Sequence, residues 1–213
     1  EPLLQAVVAT LEPAGVLLRA DSRSRREQGL STDSEVVHGN VPQHAPLEEN
    51  GVRFSAPVFD GQKTGWFYDH RLSRGRLAAW VSGKTVLDVY SYIGGWGIQA
   101  AVFGATHVCC LDSSAQALEG VAVNAHLNAV HDRVSTLRGS APEQMAELHA
   151  QGSRFDVVIL DPPAFIQRRK DLKKGIAAYR RINELALQLV NPGGILVSAS
   201  CSMHLSRADL ISC

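Results

Sequence analysis

The sequence predicts an α/β protein, in which a doubly wound domain with a mainly parallel sheet follows a small α+β segment. From residue 84 onward, short apolar runs alternate with stretches whose apolar residues recur at helical spacing. Strands separated by whole helices pair in parallel, because such a connection needs a crossover of about a dozen residues or more. The first 83 residues lack this alternation and mix short helical and strand-like pieces.

Five strands and four helices are predicted in the larger part. The strands are apolar runs over 84–90, 106–112, 133–139, 155–160 and 195–201. The first helix follows the glycine-rich turn "SYIGGWG", and the second covers 114–128 with Ser113 as its N-cap. The third covers 141–152 with a proline in its first turn. The fourth covers 173–194, where Asn-Pro-Gly-Gly ends it.

Residues 1–70 are predicted as the small α+β segment and residues 71–213 as the doubly wound domain. In the small segment we expect a helix, a strand, a polar turn-rich stretch and a hairpin, over 2–11, 15–21, 21–50 and 51–68. Residues 71–81 are expected to form a connecting helix. The chain stops after the fifth predicted strand, and an exposed edge strand invites pairing with a second copy. This predicts a homodimer or a poorly soluble chain.

Composition limits the class of partner. Lys and Arg total 21 and so do Asp and Glu, so no global field attracts nucleic acid and any RNA-binding surface has to be local. No apolar run reaches the ~18 residues of a membrane span, and no signal-peptide pattern opens the chain. We therefore expect no membrane partner and a cytoplasmic location. The 4 cysteines show no CxxC spacing, which predicts reduced thiols and no metal site.

Acidic residues at the ends of three successive core strands indicate the cofactor. Asp88, Asp112 and Asp161 each close an apolar run, and doubly wound sheets bind ligands beyond the carboxyl ends of their strands. The glycines of "IGGWG" lack the dinucleotide spacing GxGxxG. An acid before a glycine turn suits a cationic amino group, and Asp112 can accept both ribose hydroxyls. The three acids favour S-adenosylmethionine (AdoMet) over a domain whose glycines serve only the turn.

Five stretches, in this order, resemble the bacterial large-subunit ribosomal RNA cytosine-C5 methyltransferases, a class I AdoMet-dependent family. They are "GQKTGWFYDHR", "LDVYSYIGGWGIQAA", "LDSSAQAL", "FDVVILDPPAF" and "GGILVSASCS". The resemblance covers the chain from about residue 1 to its end. It implies ribosomal RNA as the substrate, AdoMet as the cofactor, and cofactor contacts from Lys63, Thr64, Gly65, Phe67, Asp69, Tyr90, Ser91 and Gly94, with Asp112 on the ribose.

The sequence also departs from the family. Ser140 stands where the family commonly has an acid near the adenine amine. Ser140 and Ser113, which follows Asp112, are both assigned to the same cofactor site. His70 stands where the family usually has Gln. The N-terminal RNA-binding module and the last two strands of the family have no counterpart in this sequence.

The ends of the fourth and fifth strands carry the predicted chemistry. Carbon C5 of cytosine becomes nucleophilic only after a thiolate adds at C6, and the reaction needs a carboxyl group near N3 and the exocyclic amine. Cys201 is therefore predicted as the nucleophile, and Asp161 as the acid, which also borders the cofactor. Pro162 and Pro163 keep the loop extended, and Phe165 is predicted to stack on the target base. The alternatives are a buried structural cysteine and a simple turn.

A basic segment follows Asp161-Pro162-Pro163 in the chain. "QRRKDLKKG" at 167–175, together with Arg180 and Arg181, places seven positive charges after Asp161. Because backbone neutralisation dominates RNA affinity, contacts with RNA phosphates are predicted for Arg168, Arg169 and Lys170. A solvated helix start is the alternative.

Three other functions remain open from the sequence. Amino-methyltransferases acting on adenine or guanine have Asp/Asn-Pro-Pro-aromatic, but here Ala164 precedes the aromatic residue. A ring-nitrogen guanine methyltransferase is closer in scaffold and typically lacks the cysteine. A non-catalytic AdoMet-fold module that binds RNA or a partner belongs to a different class, and AdoMet binding followed by methyl transfer to ribosomal RNA separates it from the enzymes.

Overall fold

The computed structural model describes residues 2–20, 23–62 and 65–213. They form two compact units, the smaller from Glu1–Pro46 and Ala56–Phe67, the larger from Leu47–Ser55 and Tyr68–Cys213. Residues 47–55 and 68–70 cluster with the larger unit, and the domain boundary at residue 70 stays a prediction. No helix in these ranges is long and apolar enough to cross a membrane.

The N-terminal part has more regular structure than predicted. Its elements are α1 (Pro2–Leu11), β1 (Gly15–Leu18), α2 (Arg23–Glu27), β2 (Glu35–Gly39), β3 (His44–Glu49) and β4 (Val52–Pro57). The predicted first helix and first strand are confirmed, and β1 pairs antiparallel with β2. The prediction of a turn-rich stretch over 21–50 was wrong, because β2, β3 and α2 lie within it.

The hairpin was predicted one strand too late in the chain. It is formed by β3 and β4 and not within 51–68. Its turn is Asn50-Gly51, with φ of 55° and 78°. A two-residue hairpin turn with positive φ at both positions favours Asn-Gly. That dipeptide is a turn signal in the sequence, and the prediction did not use it.

The larger unit contains the predicted parallel sheet. Its elements are α3 (Arg71–Arg76), a 3₁₀ turn (Leu77–Ala79), β5 (Thr85–Val89), α4 (Gly97–Val102), β6 (His107–Asp112), α5 (Ala115–Leu127), β7 (Val134–Arg138), α6 (Ala141–Ala150), β8 (Phe155–Leu160), a second 3₁₀ turn (Arg169–Asp171), α7 (Leu172–Leu187), β9 (Val190–Ser198) and α8 (Arg207–Ile211). The strand order is β7-β6-β5-β8-β9, and all neighbours are parallel. The doubly wound fold is confirmed.

The strand order reverses between β5 and β8, which places the ligand site. The chain runs from β5 outward to β7, then returns to β8 on the other side of β5. Ligands of such sheets bind beyond the carboxyl ends of the strands at this reversal. The carboxyl-end rim is defined here as Asp88, Asp112, Asp161 and Cys201, which lie at or just after the ends of β5, β6, β8 and β9.

Helix α7 anchors the β8–β9 side of the sheet. Its buried residues recur at helical spacing and are Gly175, Tyr179, Ile182, Asn183 and Ala186. It packs on β8 and β9. The strands β5 and β8 are buried on both faces, which explains their continuous apolar runs. Strand β9 lies at the sheet edge, as predicted, and pairing with a second copy stays a prediction.

Two helix boundaries were predicted wrongly. Helix α7 ends at Leu187 and not at residue 194, because the Asn-Pro-Gly stretch lies inside the edge strand β9, where a proline removes no interior hydrogen bond. The N-cap of α5 is Ser114 and not Ser113. The Ser114 Oγ accepts from Ala117 N at 3.2 Å, whereas Ser113 is exposed.

Candidate active site

Asp88 is the most deeply buried acid of the carboxyl-end rim. Its side chain is fully buried, and Oδ2 accepts a hydrogen bond from Gly97 N at 2.8 Å. A Cβ at Gly97 would lie 2.6 Å from the Cys110 sulfur, so only glycine allows this approach. Burial, reinforced by the charge of Asp161, raises the pKa of Asp88 from 3.8 to about 7.

Two buried polar atoms at this strand end have no hydrogen-bond partner among the described residues. They are Asp88 Oδ1 and Ser91 Oγ. An unsatisfied buried acceptor costs about 1–3 kcal/mol, so such atoms indicate a missing ligand group. A carboxylate oxygen and a hydroxyl oxygen, both at the end of β5, are acceptors suited to a cationic amino group such as that of AdoMet.

The loop after β5 has strained backbone. Tyr90, Tyr92 and Gly94 have φ of 66°, 49° and 85°, and left-handed tyrosines cost about 1–3 kcal/mol each. Backbone hydrogen bonds keep this loop in its strained conformation, because Tyr90 N and Ser91 N both donate to Leu111 O, at 2.9 and 3.1 Å. Such strain concentrates at functional sites. The loop bends back over the end of β6.

Asp112, at the end of β6, accepts backbone hydrogen bonds on both oxygens. Oδ2 accepts from Tyr92 N and Oδ1 from Ser114 N, each at 2.9 Å. These bonds fix the carboxylate between the strained loop and the start of α5. The side chain is half-buried, so further lone pairs can accept from a ligand. Ser140 follows β7 at the same end of the sheet, and its side chain is exposed.

Asp161 is held by a residue that the sequence did not single out. Trp96 Nε1 donates to Asp161 Oδ2 at 2.9 Å. The other oxygen, Oδ1, lies 3.6 Å from His70 Nε2. The His70 nitrogen also lies 3.8 Å from Asp69 Oδ2 and is buried without a hydrogen-bond partner. The carboxylate therefore has one oxygen fixed by an indole and the other beside an imidazole.

A buried polar network supports Trp96 from behind. Arg74 forms a two-pronged ion pair with Glu49, at 2.6 and 2.9 Å, and both side chains are buried. The Arg74 guanidinium lies 5.9 Å from the Trp96 ring centroid. Gln99 Nε2 donates to Glu49 at 2.9 Å and links α4 to the hairpin tip. Glu49 therefore holds both Arg74 and Gln99, and Arg74 in turn lies over the indole that donates to Asp161.

The structure brings Cys201 to the Asp-Pro-Pro segment, as predicted from adjacent strands. Leu160 pairs with Ser198 in the sheet. The Cys201 Sγ atom lies 3.9 Å from Pro162 O, and Cys201 is exposed. Pro162 is buried and Pro163 exposed. A structural cysteine would be buried, as Cys110 is on β6.

Phe165 packs against a core residue of α7. Its ring contacts Tyr179 with centroids 4.8 Å apart and is half-buried. Stacking of the ring on a target base stays a prediction. Phe165 lines an open depression of about 360 Å³, whose other residues are Gln167, Arg168, Asp171, Lys174, Gly175 and Ala178.

The predicted basic segment is exposed. Arg168, Arg169 and Lys170 lie at the start of the 3₁₀ turn before α7. Arg168 Nε donates to Asp171 Oδ2 at 3.1 Å, so part of its charge is compensated. Lys174 makes no ion pair with the described residues and borders the same depression. The local charge is therefore positive although the whole chain is neutral.

Cofactor contacts from four other residues stay predictions. Lys63 and Thr64 lie outside the described residues. Gly65 and Phe67 belong to the smaller unit, and their contact with a cofactor stays a prediction. No cluster of three or more His, Cys, Asp or Glu side chains suited to a metal ion occurs among residues 2–20, 23–62 and 65–213.

Comparisons with known proteins give the family and the relatives of this chain. The family model described as S-adenosylmethionine-dependent methyltransferase matches residues 17–208. Proteins named "Ribosomal RNA large subunit methyltransferase I" are similar to the chain. The one from Aliivibrio fischeri is 37% identical over 204 residues, covering 95% of this chain and 52% of that protein. The one from Aeromonas salmonicida is 36% identical over 203 residues, covering 94% and 51%. The chain spans about half the length of these relatives.

Solved structures share the fold at low sequence identity. A methyltransferase from Agrobacterium tumefaciens, described as SAM dependent, has a TM-score of 0.69 and 20% identity, covering 84% of this chain and 59% of that one. A complex of aTrm5 with tRNALeu has a TM-score of 0.62 and 19% identity, covering 90% and 50%. At such identities the likeness concerns the fold alone.

Proposed function

This chain belongs to the S-adenosylmethionine-dependent methyltransferase family, and we propose that it forms 5-methylcytosine in large-subunit ribosomal RNA. The observation that carries the proposal is the exposed thiol of Cys201, 3.9 Å from Pro162 O, at the rim where Asp161 follows the end of β8. The names of its relatives support ribosomal RNA as the substrate. An enzyme that methylates an exocyclic amine needs no thiol at this position.

In this proposal, each of the three acids of the rim has its own role at the cofactor site. Asp88 Oδ1 and Ser91 Oγ accept from the methionine amino group, which satisfies both orphaned atoms. Asp112 accepts from the ribose hydroxyls, since its carboxylate is already oriented by Tyr92 N and Ser114 N. AdoMet, when bound, supplies an electrophilic methyl group on its sulfonium. Asp161 completes the border between the cofactor and the base.

The thiol of Cys201 makes the base reactive. As a thiolate it adds to C6 of cytosine, and the displaced π electrons make C5 a nucleophile that takes the methyl group. Asp161, in its protonated form, donates its proton to N3 as the thiolate adds, which neutralises the charge that develops on the base, while its Oδ2 accepts from Trp96 Nε1. A base then removes the C5 proton, the electrons re-form the C5–C6 double bond, and the Cys201 sulfur leaves as thiolate.

Methyl transfer to deproteinised ribosomal RNA tests the activity. Purified protein, labelled AdoMet and ribosomal RNA should yield labelled 5-methylcytidine after digestion to nucleosides. Label in a methylated guanosine or adenosine would refute the proposal in favour of ring-nitrogen or amino transfer. Binding of AdoMet without any transfer would favour the non-catalytic module.

AdoMet affinity is expected to depend on pH through Asp88. The raised pKa of about 7 means that the free carboxyl is protonated below that value. Binding a cation requires the ionised form, so affinity should rise with pH by up to about tenfold per unit below about 7 and then level off. Calorimetry across this range checks the slope. Asp88→Asn keeps an acceptor for Gly97 N and should abolish the dependence of AdoMet affinity on pH. An unchanged slope in this variant would exclude Asp88 as the group that titrates.

Charge reversal at the basic segment is expected to weaken RNA binding. Replacing Arg168, Arg169 and Lys170 by Glu should lower RNA affinity and reduce the log–log salt slope by about 0.7–0.9 for each phosphate that is no longer neutralised. AdoMet affinity should not change. Arg154→Glu is the matched control, since Arg154 is exposed at the amino end of β8, away from the rim. Equal salt slopes in the triple variant and the parent would remove this segment from the RNA surface.

A further inference from the structure

One buried hydroxyl connects the two segments that carry Asp161 and Cys201. The Tyr179 hydroxyl on α7 is fully buried and lies 2.8 Å from both Ser200 Oγ and Ser202 Oγ. Ser202 Oγ in turn accepts from Ile166 N at 3.2 Å. Ile166 closes the loop that begins at Asp161. The network therefore ties the segment after β9 to the loop after β8.

The network also determines which way Cys201 faces. Ser200 Oγ and Ser202 Oγ both contact the buried Tyr179 hydroxyl, whereas Cys201 between them is exposed beside Pro162. Ser202 N donates to Ser200 Oγ at 3.0 Å, which closes the backbone around the thiol. The orientation of the thiol is thus set by its two neighbours and one tyrosine.

The ring of Tyr179 also contacts the loop that begins at Asp161. Phe165 packs against it with centroids 4.8 Å apart, and Gly175, one helical turn earlier, lets α7 approach Ile166. One side chain therefore contacts the loop of the acid through its ring and the segment of the thiol through its hydroxyl. Neither role is visible in the sequence, where the spacing of Tyr179 indicates only a core residue of α7.

We infer that Tyr179 is a positioning residue that holds the Cys201 thiol in register with Asp161 for attack on the base. The inference rests on the proposed function of Cys201. Because a displacement of about 1 Å in a reacting group can cost about 10²-fold in rate, loss of this hydroxyl affects the chemical step. Cofactor affinity is unaffected, since the network lies on the thiol side of the rim.

The test is Tyr179→Phe, which removes the hydroxyl and retains the ring. The rate of covalent capture on RNA containing 5-fluorocytosine is expected to fall by about 10–100-fold. The RNA KM should stay within about twofold and AdoMet affinity should be unchanged. Ser200→Ala, which removes one of the two serine partners, should lower the same rate in the same direction.

Ser198→Ala is the matched control. Ser198 Oγ donates to Asn183 Oδ1 at 2.9 Å, so it also joins the end of β9 to α7, but it does not flank the thiol. The control should lose stability in a thermal melt and keep its capture rate. Equal slowing in Ser198→Ala and Tyr179→Phe, or no slowing in Tyr179→Phe, would overturn the inference. If Cys201→Ala itself remains active, the proposed function has failed, and not the positioning alone.

Discussion

Cys201→Ala is expected to abolish methyl transfer while leaving AdoMet affinity unchanged. The thiol lies beside Pro162 on the base side of the rim, and no cofactor contact is assigned to it. Without a thiolate, C5 of cytosine gains no nucleophilic character, so no slower route through the same site remains. Calorimetry with AdoMet and single-turnover methylation of ribosomal RNA measure the two properties separately.

A covalent trap makes this prediction sharper. RNA with 5-fluorocytosine at the target should become attached to the parent protein, because fluorine cannot leave C5 as a cation and the final elimination stops. Cys201→Ala should give no adduct. Cys109→Ala is the control, since Cys109 lies within β6 and burial raises the pKa of its thiol; it should form the adduct at the parent rate. A normal methylation rate in Cys201→Ala would exclude C5 chemistry through this residue.

Asp161→Asn is expected to slow methyl transfer by about 10²–10⁴-fold, the usual range for acid–base assistance. Asparagine keeps an oxygen that can accept from Trp96 Nε1, so the side chain stays in place, but the amide has no ionisable proton to give to the base. The RNA KM should change little. Single-turnover rates with saturating AdoMet measure the effect.

A second measurement on the same variant tests its electrostatics. The Asp161 charge contributes to the raised pKa of Asp88, so its removal should move the pH dependence of AdoMet affinity to lower pH. Asp132→Asn is the control, because Asp132 is an exposed partner of Arg133 on the surface. Full activity in Asp161→Asn would show that the carboxylate takes no part in the reaction and serves only the structure of the turn.

The sheet and its acids could be predicted from local sequence. Apolar runs closed by Asp88, Asp112 and Asp161 depend only on residues adjacent in the chain, and alternation with helices gives the parallel pairing. The elements missed in the N-terminal part have another cause. Their strands are short and polar, and the prediction passed over the Asn50-Gly51 turn signal, whose positive φ values identify it.

The supports of the site could not be predicted in the same way. The bond from Trp96 to Asp161 joins residues 65 positions apart, and that from Tyr179 to Ser202 joins residues 23 apart. Both depend on how α4 and α7 pack on the sheet, and a buried aromatic at helical spacing gives no sign of its hydroxyl or indole partner. The packing of Phe165 against Tyr179 is a further contact that the sequence did not indicate.

Mapping of 5-methylcytosine in ribosomal RNA, with and without the gene, tests the proposed function most directly. Large-subunit RNA from cells that carry the gene should contain a 5-methylcytosine that is absent after deletion, restored by the parent gene and not restored by the Cys201→Ala gene. An identical 5-methylcytosine map in both strains, or the loss of a different methylated base on deletion, would contradict the assignment of cytosine-C5 chemistry to this site.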